Sequence, residues 1–106
     1  MNKNILSIET TSDICSVALF ENQKLLSIKE DSNRNHSSLL ALFVDEILKK
    51  TDFSLNSLDA IALSIGPGSY TGLRIGCSFT KGIAYSLSKP IIPINTIDSL
   101  NYSIND

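Results

Sequence analysis

The chain has 106 residues, 42% of them hydrophobic and 19% charged. This is ordinary usage for one globular domain, large enough for a single core and too small for two lobes. A formal charge of -2, with nine basic residues of which only Lys49 and Lys50 are adjacent, excludes the electrostatic footprint of a protein that binds RNA or DNA unaided.

Cys15 and Cys77 form no paired motif, so buried thiols in a reducing compartment are expected. No apolar run approaches the roughly 18 residues of a membrane span. The N-terminus lacks a secretory layout. The expected location is cytoplasmic, without membrane contact.

Asn4 to Ile8 is a short apolar stretch that reads as a strand, ending in Glu9-Thr10-Thr11-Ser12-Asp13. Cys15 to Phe20 alternates small or polar with apolar residues and reads as a second strand. After a tight turn at Glu21-Asn22-Gln23, Lys24 to Glu30 makes a third. Strands joined this closely must form an antiparallel meander. A polar loop, 31–35, leads into a helix from His36 to Lys50, with Asn35 or Ser37 as its cap. Leu39, Leu40, Phe43, Val44, Ile47 and Leu48 cover a wide arc of that helix, and Leu42 projects outside it. The apolar surface exceeds what one sheet can cover.

A short connection precedes the apolar run 60–65, which reads as a buried strand. Gly66-Pro67-Gly68-Ser69-Tyr70-Thr71-Gly72 then turns the chain into a second helix, from Leu73 to Leu87, with Ser69 or Thr71 as cap. Within it Gly72, Gly76, Thr80 and Ala84 recur every four residues and form one row of small side chains, while Gly82 adds another glycine. Each helical glycine costs roughly 1 kcal/mol relative to alanine, so something must approach closely. That neighbour is either the chain's own sheet or a second helix crossing along the row. Leu73, Ile75, Phe79, Ile83 and Leu87 need cover as well. The segment 90–94 reads as a strand that its prolines place at the start or near an edge. Thr96 to Leu100 resembles the first turn of a third helix.

The chemistry-bearing patterns are few. The glycine turn fails as a Walker loop, because the second glycine position counted from Gly66 is Thr71 and from Gly68 is Leu73. A dinucleotide fingerprint fails at Thr71. His36 is the sole histidine, so no histidine pair can hold a metal, and surface or capping duty is favoured. No serine has a placed base. No catalytic group, metal or cofactor is expected. The hairpin Glu9, Thr10, Thr11 and Ser12 is either an ordinary polar turn or the remnant of a phosphate-facing one.

The element order β-β-β-α-β-α-β-(α) gives an α/β fold, a mixed five-stranded sheet with helices packed on it. It resembles a half-domain of the actin, hexokinase and Hsp70 ATPase fold, the actin-like or ASKHA group of RNase H-like architecture. In that fold the first hairpin faces nucleotide phosphates, and a complete site needs a second hairpin from a second half-domain. Ile8-Glu9-Thr10-Thr11-Ser12 with Cys15 to Leu19, Asn35-His36-Ser37 before Leu39-Leu40, Gly66 to Gly76, and Lys81-Gly82-Ile83-Ala84 together resemble the TsaB (YeaZ) family of bacterial tRNA threonylcarbamoyladenosine biosynthesis proteins. The resemblance covers nearly the whole chain and is most specific from Gly66 to Gly76.

The resemblance implies a non-catalytic accessory subunit. It pairs helix to helix with the TsaD-type transferase, is joined by a TsaE-type ATPase, and meets tRNA only through the complex. A homodimer through the same helices is expected in isolation. The interface it implies comprises Leu39, Leu42, Phe43, Glu46, Gly72, Arg74, Gly76, Phe79 and Lys81. Residues 1–106 correspond to the N-terminal half-domain of such proteins, so a fragment lacking the second half-domain is expected. The alternative is an enzyme acting on its own, an actin-like ATPase or kinase or a peptidase, with Glu9 and Asp13 as its only carboxylates near the hairpin.

Overall fold

The computed structural model describes residues 3–32, 36–68 and 70–95. In chain order these form β1 (Asn4–Glu9), β2 (Cys15–Glu21), β3 (Lys24–Asp31), α1 (His36–Thr51), a 3-10 turn (Leu55–Ser57), β4 (Ala60–Ser64), α2 (Tyr70–Leu87) and β5 (Ile91–Ile94). The strands make one sheet in the order β3-β2-β1-β4-β5. The first three strands pair antiparallel as a meander, while β4 runs parallel to both β1 and β5. The mixed five-stranded α/β architecture is therefore the one expected.

Local chemistry explains the connections. Asn22 and Gln23 both take left-handed backbone angles, φ 55° and 70°, the conformation that matches a two-residue turn to strand twist. The Asn22 side chain accepts from the Lys3 amide at 2.9 Å, and the Asn22 amide donates to the Lys3 carbonyl at 2.9 Å. The turn is thus tied to the start of β1. The crossover from β3 to β4 runs through α1, as a parallel partner requires. Its short connection is itself structured, because the 3-10 turn drops Leu58 into the core with no exposed surface. At its end the Asn4 amide donates to the Asp59 carboxylate at 2.7 Å, which holds β4 against β1.

The core lies between one face of the sheet and the two helices. Leu6 and Ile8 of β1, Val17 and Leu19 of β2, Ile61 of β4, and Leu40 and Ile47 of α1 are fully buried there. All five residues of β4 are buried, as expected of a parallel strand between two others. α1 packs on β2 and β3, α2 on β4, β1 and β5, and the helices touch each other. The opposite face of the sheet carries exposed Leu25, Ile28 and Ile92. The third helix expected at Thr96–Leu100 lies outside the described residues.

One expectation about α2 changes, and one open alternative is decided. The helix begins at Tyr70 rather than Leu73, so Thr71 sits inside its first turn and cannot be its cap; Ser69 lies outside the described residues. The small-residue row is not open to a second helix either. Gly72, Gly76, Thr80 and Ala84 are the buried residues of α2, and the chain's own hairpin covers the glycines. A Cβ at Gly72 would overlap the Thr10 carbonyl, and one at Gly76 would overlap the Thr10 hydroxyl and press on Leu63. At Gly72 the neighbour is backbone, so no side chain can move aside; at Gly76 it is the Thr10 side chain, held by its bond to Gly72. Gly82 differs, since a Cβ there would meet nothing within 4 Å.

Opposite effects follow for chemically identical substitutions. Gly76→Ala should destabilise the fold by about 2 kcal/mol or more through overpacking, whereas Gly82→Ala should stabilise it by about 1 kcal/mol through helix propensity. Urea unfolding of both variants checks the sign at each site. The fully buried Cys15 thiol supplies a second test: burial first, then the Asp31 and Glu9 carboxylates, push its pKa from 9.0 to about 11. The folded thiol holds its proton more tightly than the unfolded one, so its stabilising share is complete below pH 9 and is lost as pH rises toward 11. Stability measured against pH over that window should fall more steeply for the native chain than for Cys15→Ala.

Candidate partner-docking face and the closed hairpin

Two groups of residues carry the functional expectations, the hairpin after β1 and the outward surface of α1 and α2. The hairpin sits at the carboxyl ends of β1 and β4, the end of a parallel pair where ligands bind in open α/β sheets. Gly66, at φ 109°, begins the turn that follows β4 and is followed by a cis peptide to Pro67. This left-handed angle favours glycine.

The two threonine side chains of the hairpin turn inward. Thr10 is fully buried, and its hydroxyl donates to the Gly72 carbonyl at 2.6 Å. Thr11 is also buried; its amide donates to the Glu9 carboxylate at 2.7 Å, and its hydroxyl donates to the same oxygen. A Cβ on Gly68 would overlap the backbone of Thr11. The exposed Ser12 hydroxyl faces its own turn, 3.1 Å from the Ile14 carbonyl and 3.2 Å from its amide. A phosphate-facing hairpin presents donors outward. Here the Thr10 hydroxyl and the amide and hydroxyl of Thr11 are committed within the chain, and the Glu9 carboxylate stands among them. Asp13, the other candidate carboxylate, is exposed. Among the described residues no three His, Cys, Asp or Glu side chains group as a metal site.

The implied interface residues divide by burial. Gly72 and Gly76 are sealed against Thr10, and Phe43 is only 7% exposed within the core. These three are packed within the chain. On α1, Leu42 is 48% exposed, Leu39 is half-buried, and half-buried Glu46 pairs with Lys29 of β3 at 3.5 Å. On α2, Arg74 and Lys81 are exposed and Phe79 is half-buried. The apolar arc of α1 is thus largely absorbed by its own core, and Leu42, outside that arc, stays exposed.

The structure adds residues that the sequence reading did not single out. Tyr70 and Tyr85 are 73% and 90% exposed. With Arg74, Ser78 and Lys81 they make an outward stripe at helical spacing. The Arg74 guanidinium lies 5.9 Å from the centre of the Tyr70 ring, within range of a cation–π contact. Thr71, Arg74, Ile75, Ser78 and Phe79 line a shallow depression beside the stripe. From Gly66 to Asn95 there is no acidic residue against Arg74, Lys81 and Lys89, a signal that total charge conceals.

The comparisons with known proteins agree with this architecture. The sequence profile described as "TsaD: tRNA N6-adenosine threonylcarbamoyltransferase" matches residues 23–105. A tRNA threonylcarbamoyladenosine biosynthesis protein TsaB from Haemophilus influenzae is 35% identical over 99 residues, covering 93% of this chain and 42% of that protein. A tRNA N6-adenosine threonylcarbamoyltransferase from Prosthecochloris aestuarii is 32% identical over 115 residues, covering 94% of this chain and 33% of its own length. Among solved structures, YeaZ from Pseudomonas aeruginosa superposes with a TM-score of 0.81 at 30% identity, over 88% of this chain and 43% of that one. The chain spans less than half the length of each of these relatives. The fold is the actin-like α/β arrangement that the element order implied. With the profile match covering most of its length, the chain belongs to the tRNA N6-adenosine threonylcarbamoyltransferase (TsaD) family, within which it is similar to TsaB.

Proposed function

We propose that this chain acts in tRNA threonylcarbamoyladenosine biosynthesis as a non-catalytic accessory unit, docking on a TsaD-type transferase through the outward surfaces of α1 and α2. One observation carries the reading. After both helices have covered the sheet, an apolar and cationic surface remains, with Leu42 nearly half exposed on α1 and the stripe of Tyr70, Arg74, Lys81 and Tyr85 on α2. Apolar side chains ringed by polar ones mark a contact surface, and tyrosine and arginine are favoured anchors there. Gly82 fits the same role, being a costly helical glycine with nothing of its own chain to accommodate.

In this reading the transferase supplies the chemistry, a TsaE-type ATPase joins the assembly, and tRNA is met only through the complex. In isolation two copies pair through the same surface. An enzyme acting alone would draw its carboxylate from Glu9 or Asp13. Glu9 is engaged by Thr11 rather than by an open cleft, which gives that reading no geometric support.

Size-exclusion chromatography and titration calorimetry with a TsaD-type transferase test the proposal. Leu42→Glu and Arg74→Glu should each weaken association by roughly tenfold or more, as removal of an interface anchor does. A chain that stays monomeric and ignores the transferase overturns the reading. Heat of binding with ATP and magnesium would favour the enzyme instead.

A further inference from the structure

We propose that Thr10 is the positioning residue of α2, and that the hairpin carrying it works as a clamp on the docking helix. The inference rests on the docking function proposed above. The Thr10 hydroxyl is fully buried and donates at 2.6 Å to the Gly72 carbonyl, joining residues 62 apart in the chain. Gly72 belongs to the first turn of α2. Its carbonyl, as a helix acceptor, already serves the amide four residues on. The Thr10 hydroxyl is therefore an added bond from outside the helix, and its consequence is where the helix sits.

The fit around this bond is tight in two directions. The Thr10 carbonyl lies against Gly72, and the Thr10 hydroxyl lies against Gly76 one turn later. A helix that rests on side chains alone can slide as their rotamers change; the first turns of this one also rest on the backbone and hydroxyl of one threonine. Thr11 cannot yield readily either, because its amide and hydroxyl are both held by Glu9 and its backbone fills the space at Gly68. The clamp thus sets the register of α2 along the sheet. Arg74 and Phe79 lie two and seven residues beyond Gly72 on the same rigid element, so their place on the docking surface follows from it.

The test compares Thr10→Ala, which removes the donor without adding bulk, with Thr10→Ser, which keeps it. Amide exchange across α1 and α2 and affinity for a TsaD-type transferase are both measured, with Arg74→Glu as the surface control. Thr10→Ala should speed exchange in residues 73–79 by about tenfold while α1 stays unchanged, and should weaken the partner about fivefold, the scale of one hydrogen bond. Thr10→Ser should match the native chain in both. The proposal is overturned if Thr10→Ser behaves like Thr10→Ala, if exchange in α2 does not change, if affinity survives the loss of the hydroxyl, or if Thr10→Ala does not fold. Failure of the docking reading looks different, since Arg74→Glu and Leu42→Glu would then leave affinity intact while the exchange comparison still judged the clamp.

Discussion

Backbone lies against backbone where the hairpin after β1 meets α2, and the rest of the structure is arranged around that approach. Side chains at Gly68, Gly72 or Gly76 would occupy the space of Thr10 and Thr11. Two helical glycines there lower intrinsic helix stability by roughly 1 kcal/mol each, and packing of α2 on β1 and β4 offsets the cost. Ile75, Phe79, Ile83 and Leu87 flank the row of small residues and are partly buried against the core. The outward stripe is left to polar, aromatic and cationic residues.

The hairpin after β1 stands in the place where the actin-like resemblance expects a phosphate-facing turn. Its threonine hydroxyls are aimed at Gly72 and Glu9. A carboxylate drawn in among the amide and hydroxyl donors opposes an anion on charge grounds alone. The same threonines that would suit a phosphate also suit a tight seat for a helix, since both need a short side chain with a donor. Only the position of the glycine row decides between the two.

Charge distribution gives the surface its second character. The chain is net acidic, yet the segment from Gly66 to Asn95 carries cations alone. α1 is mixed in sign, with Lys49 paired to Asp45 at 3.0 Å one turn away and Glu46 paired to Lys29. Exposed pairs of this kind contribute little to stability, but they neutralise α1 locally and leave α2 as the cationic side of the helical layer.

The amino-acid sequence by itself determined the elements and their order. Alternation gave the strands, the continuous apolar run gave β4, helical spacing gave α1 and α2, and short turns forced the meander, because each of these follows from local geometry. It also showed that Gly72 and Gly76 must have a close neighbour. Which neighbour was decided only by tertiary structure, since the Thr10 hydroxyl and the Gly72 carbonyl stand 62 residues apart in the chain and no local pattern links them.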